Sequence, residues 1–124
     1  MIVLDAAVAI ALLDVDDAHH DKAVAIFADS PGEVFVMHPI NLAEALVSPA
    51  RAGRGEEALA ALQAFGVATA EIDGGEALTL ARLRAAHRLK MPDTCALALA
   101  LRLDAPLVTF DDRLDRVWGD VRRG

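Results

Sequence analysis

The chain has a single cysteine, Cys95, in 124 residues, so no internal disulfide can form and a reducing cytoplasm is the compartment its composition suits. Chemistry by a thiol pair is excluded, and Cys95, set in an apolar helical stretch, reads as core. Histidine is scarce too: His19, His20, His38 and His87 fall into no H-x-x-x-H or Cys/His spacing of a zinc site. There is no P-loop and no G-x-G-x-x-G, so a nucleotide cofactor has no support, and Ser30 and Ser48 lack a nucleophile's context. No uncharged apolar run reaches the about 18 residues that a membrane span needs. The apolar opening MIVLDAAVAIALLD lacks a basic leader and is interrupted by Asp5, so it reads as core, not as a signal segment. Basic residues are also short, 12 against 19 acidic for a net charge of −7. That balance disfavours wrapping a nucleic acid over a broad basic face, and leaves contacts that are local or ion-mediated.

What is present is the material of a folded core. Hydrophobic residues make up 55% and charged residues 25%, and the length suits one compact domain over residues 1–124. Met1 to Leu4 is a short β-branched run of the kind buried on both faces of a sheet, and Asp5 closes it. Helical spacing follows over 6–13 and 18–29, stopped by Ser30, Pro31 and Gly32. Val34 to Met37 reads as a second strand. Pro39 then opens a helix on which Asn41 and Glu44 share a face. Gly53 and Gly55 precede a helix over 56–65, and Val67 to Ile72 reads as a third strand. A longer amphipathic helix covers 75–89, and an apolar one covers 94–103 behind Pro92 and Asp93. Ala105 to Phe110 is a further strand, and Val117 and Trp118 read as a last short one. Alternation of this kind predicts an α/β three-layer sandwich: a mostly parallel central sheet with helices on both faces.

Four acids stand where such a fold would use them. Ligands of open parallel sheets sit at the carboxyl ends of strands, and Asp5 and Asp111 both directly follow strands. Asp93 at a helix start and Glu44 on a helix face reach the same rim if their helices flank it. Clustered carboxylates repel one another unless neutralised, so a hard divalent cation with oxygen ligands is the natural occupant, Mg²⁺ or in its place Mn²⁺. Such an ion polarises a phosphodiester and activates water. The basic stretch Arg82, Arg84, His87, Arg88 and Lys90, just before Asp93, could hold flanking phosphates. Taken singly, Asp93 reads as a helix cap, Asp111 beside Asp112 as turn chemistry, and Glu44 as a solvated helix residue. Asp5 is different, because an acid closing a buried strand needs a partner or an ion.

In order, the strand ending at Asp5, the segment Asn41-Leu-Ala-Glu44, Pro92-Asp93-Thr-Cys-Ala and Thr109-Phe-Asp111 resemble the PIN-domain family, and more narrowly its VapC-type toxins. The resemblance runs from MIVLD to VTFDDRL. It implies that Asp5, Glu44, Asp93 and Asp111 are acidic metal ligands, with Asp112 the neighbour competing for the fourth place, and that Thr109 is the hydroxyl beside the last acid. It further implies Mg²⁺-dependent cleavage of RNA, a homodimer, and inhibition by a small cognate antitoxin. The alternative within the family is a degenerate fold that binds RNA or a protein without cutting. One departure bears on catalytic strength: Ala6 and Ala7 stand where the family commonly has a Ser or Thr, removing a hydrogen bond that would orient the first acid.

Overall fold

The β-branched opening run does become a strand at the heart of a sheet. In the computed structural model, which describes residues 1–123, β1 (Ile2–Leu4) pairs with β2 (Phe35–Met37) on one side and β4 (Leu107–Val108) on the other. β3 (Val67–Thr69) adds beyond β2, giving the order β3-β2-β1-β4 with every pair parallel. Val3 lies opposite Leu107, and Leu4 opposite Val108. The carboxyl ends of all four strands therefore share one edge, and the chain switches direction between β1 and β4, where sheets of this type leave a crevice.

Among the described residues seven helices surround the sheet: α1 (Ala6–Leu13), α2 (His20–Ala28), α3 (Pro39–Arg51), α4 (Gly55–Ala64), α5 (Glu76–His87), α6 (Met91–Leu103) and α7 (Asp112–Arg123), with α2 packed on α1 and α5 on α6. The two-residue period of the strands divides the core between the faces. Leu4, Phe35 and Met37 pack with Val8, Leu12 and Leu62 of α1 and α4. Val3, Val36 and Leu107 pack with Leu97, Leu99, Leu114 and Trp118 of α6 and α7. α6 is buried almost all round, which explains its apolar sequence, whereas α5 has no fully buried residue and meets the second core mainly through Leu83.

Two readings of the sequence are corrected. Val117 and Trp118 belong to α7, not to a strand. Leu114, Val117, Trp118 and Val121 recur at helical spacing with charges between them, a pattern that a dipeptide taken alone cannot reveal. α6 starts at Met91, with Lys90 at its cap position, so Asp93 sits within the first turn and is not the residue that caps it. β3 and β4 are also shorter than their apolar runs, ending at Thr69 and Val108. Among the described residues, no helix is long and apolar enough to cross a membrane.

Candidate functional site

Asp5 leaves β1 and begins α1. Only 5% exposed, its side chain caps the helix by accepting from the Val8 amide at 3.3 Å. Its other carboxylate oxygen accepts the hydroxyl hydrogen of Thr109. The Thr109 oxygen in turn accepts from the Asp111 amide at 3.0 Å, and the Asp111 carboxylate accepts from the Leu114 amide at 2.9 Å at the start of α7. One hydroxyl thus links the two acids across the β1–β4 pair. The hydroxyl that neither Ala6 nor Ala7 carries is thus brought to Asp5 by a residue far away in the chain.

Asp93 is delivered by α6. Asn41 of α3 donates from Nδ2 to the Pro92 carbonyl at 2.9 Å, tying the start of α6 to the helix that bears Glu44. The Asn41 Oδ1 is buried and has no partner among the described residues. Burial raises the pKa of Asp5, hydrogen bonds from Thr109, Val8 and Ala7 oppose it, and the charge of Asp111 raises it further. Burial likewise raises Asp93, with the charges of Asp111 and Asp5 adding to it and those of Lys90 and Arg113 opposing. The charge of Asp111 thus reaches both Asp5 and Asp93, and that of Asp5 reaches Asp93, an arrangement that a cation would relieve.

Glu44 is exposed on α3 and lines a groove of about 460 Å³ with Ile10, Leu13 and Ala45. Its charge is not among those that raise Asp5 or Asp93. It acts instead on Cys95, whose thiol is pushed up to about 11 by burial first, then by Glu76 and Glu44. Such a thiol stays protonated at neutral pH, in keeping with a core cysteine. Among the described residues, no three His, Cys, Asp or Glu side chains form a group that could hold a metal ion by themselves. The donors are nonetheless hard oxygens, and Mg²⁺ is commonly bound by one or two carboxylates, completing its shell with water and substrate phosphate. The donor chemistry fits such an ion.

The basic positions separate. Lys90 acts electrostatically on Asp93. Arg84 donates to the Leu89 carbonyl at 3.1 Å, Arg88 takes the left-handed conformation that ends α5, and Arg82 lines a second cavity beside Glu76 and Arg102. Arg113, which the sequence reading passed over, joins Lys90 near Asp93 and bonds the His87 and Arg88 carbonyls at 3.4 and 3.3 Å. Its signal was its place two residues after Asp111. His38 was also missed, although it closes β2 as Asp5 closes β1. It is 1% exposed and its Nδ1 accepts from the Ile40 amide at 3.1 Å. Its Nε2 faces Glu76 across 3.5 Å, an electrostatic contact longer than a good hydrogen bond. Arg102 approaches the same carboxylate at 3.7 Å.

A model of the PIN domain matches residues 2–119. Among solved structures, VapC20 of Mycobacterium tuberculosis, described as a toxin that cleaves the sarcin-ricin loop, superposes with a TM-score of 0.80 at 17% identity, covering 94% of this chain and 95% of that one. PAE2754 of Pyrobaculum aerophilum superposes with a TM-score of 0.56 at 19% identity, covering 99% and 97%. No curated protein sequence matches.

Proposed function

The chain belongs to the PIN domain family, and on that premise we propose that it is a Mg²⁺-dependent endoribonuclease, the toxin of a type II toxin-antitoxin pair. In this reading it works as a homodimer in the cytoplasm and is held in check by a small cognate antitoxin. The observation that carries it is the Thr109 hydroxyl joining Asp5 to Asp111 at the carboxyl edge of a parallel sheet, with Asp93 near enough that burial and the charges of both acids raise it. The fold likeness to a toxin described as cleaving the sarcin-ricin loop supports the choice of RNA.

A bound Mg²⁺ would supply charge neutralisation for the scissile phosphate and an activated water, with Mn²⁺ able to replace it. Asp5, Asp93 and Asp111 would hold the ion, and Glu44 would complete the acidic set from α3. Thr109 keeps Asp5 and Asp111 in fixed relation, so the donors need little rearrangement when the ion arrives. Lys90 and Arg113 stand near Asp93 and are suited to the phosphates beside the cut. Arg82, Arg84 and Arg88 would contribute longer-range attraction along α5. An acidic protein then grips RNA only where the ion makes the site attractive.

The test is cleavage of a structured RNA with Mg²⁺, with Mn²⁺ and with chelator, by the wild type and by Asp93→Asn. Activity should require the metal and should fall by orders of magnitude in the variant. Without metal the variant should melt at the same temperature as the wild type or slightly above it, because the substitution removes one of the repelling charges. Added Mg²⁺ should stabilise the wild type more than the variant. Metal-independent inactivity of the wild type would instead leave a degenerate PIN fold that binds without cutting.

A further inference from the structure

The ring of His19 lies flat on the ring of Phe110, with centroids 4.8 Å apart and planes inclined by 19°. Phe110 is the residue between Thr109 and Asp111, so the stack stands at the rim of the aspartate site. Phe110 backs onto the core formed with Leu4 and Val8, while the His19 side chain remains 48% exposed. One face of the imidazole is thus supported by Phe110, the Asp17 carboxylate lies 3.9 Å from its Nδ1, and about half of the side chain is left to solvent. We propose that the solvent side of this ring is a stacking platform for one unpaired base of an RNA strand crossing the aspartate site.

The loop that carries His19 is held in place before any ligand arrives. The Asp16 amide donates to the Asp14 carboxylate at 2.9 Å and the His19 amide to the Asp17 carboxylate at 2.8 Å. Backbone bonds run from Asp17 to Asp14 at 3.1 Å and from His20 to Asp17 at 3.0 Å. The His20 Nδ1 donates to the Ala11 carbonyl at 2.7 Å, anchoring the loop to α1. A ring presented by so constrained a loop loses little freedom when a second ring settles on it.

The surrounding charge decides which part of a nucleotide fits. Asp14, Asp16, Asp17 and Asp21 repel a phosphate, whereas a base offers a neutral π face that needs no counter-charge. Every base has such a face, so the platform favours unpaired nucleotides over paired ones more than it favours one sequence over another. The nuclease reading supplies the RNA and its path; the platform is carried by the stack itself.

Two measurements test it. In cleavage assays on a single-stranded RNA, His19→Ala should raise KM about tenfold, the lower part of the range for loss of one base stack, with a much smaller change in kcat. His19→Phe should restore KM. Melting temperatures of both variants read out any role of the ring in merely sealing the core. In the second measurement, His19→Trp is combined with Asp93→Asn, so that binding is read without cleavage while the buried Trp118 serves as a constant background. Oligo(A) should quench the added fluorescence more strongly than oligo(U), and an abasic ribose-phosphate chain of equal length should leave it unchanged. Equal quenching by the abasic chain, or no quenching at all, overturns the platform, as does a loss in His19→Ala that tracks its melting temperature and is not restored by Phe. If the wild type cleaves but the platform fails these tests, the nuclease reading stands without it. If the wild type does not cleave but the bases quench, the platform stands and the nuclease reading falls.

Discussion

Thr109 is the residue through which two of the aspartates act as a unit. Its hydroxyl donates to Asp5 and accepts from the Asp111 amide, so one oxygen satisfies groups from both sides of the β1–β4 pair. Thr109→Val keeps the shape and the β-branch but removes both bonds, leaving a buried carboxylate short of a donor. We expect a loss of about 1–3 kcal/mol in urea denaturation, together with a smaller stabilisation by Mg²⁺ than the wild type shows. Thr109→Ser should recover most of both. An unchanged midpoint in Thr109→Val would show that water replaces the hydroxyl and that the link is not structural. The need for such a partner was legible at Asp5, because an acid at the end of a buried strand demands one. Its identity was not, since Thr109 is distant in sequence and meets Asp5 only once β4 has paired with β1.

The elements show a similar division. α6 was legible from its apolar run and its proline, and β1 from its branched residues. α7 was partly misread because its apolar positions are spread among charges. The join between β2, α5 and α6 was hidden altogether, since it depends on His38, Glu76 and Arg102, which lie on three separate elements. Burial lowers the pKa of His38, Arg102 adds to that shift, and Glu76 opposes it. A histidine lowered in the folded state is neutral in both states above its ordinary value near 6.5. As the pH falls below that value the unfolded chain takes up the proton first, so stability is lost towards the lowered folded value. Asp5 and Asp93, raised in the fold, act in the opposite direction as the pH falls through their raised values, so the histidine is read by the difference between wild type and a His38 variant. The contribution of His38 to the melting temperature without metal should therefore drop as the pH falls from 7 into the range below 6.5. His38→Gln should melt lower at pH 7 but show a shallower slope across that window. An equal slope in wild type and variant would assign the acid sensitivity elsewhere.

For the whole molecule, the sheet order decides the arrangement. Placing β1 between β2 and β4 brings the ends of the first and last strands together although most of the chain separates them. The outer surface retains exposed apolar residues on several helices, Ile10, Val24, Ile40, Val47 and Leu78 among them. With the proposed toxin function, they motivate the expectation of a homodimer with an isologous interface. Sedimentation at micromolar concentration should show twice the monomer mass, and a monomer throughout would refute it. The sequence by itself determined the class of fold and the main acidic candidates, because strand and helix periods, prolines and strand-closing acids are local signals. Only the tertiary structure decided which groups meet: Thr109 with Asp5, Arg113 and Lys90 near Asp93, Glu44 facing a groove, His38 with Glu76, and His19 on Phe110. Each of those meetings joins residues from different elements, and their distances are set by strand order and helix packing, which no local period encodes.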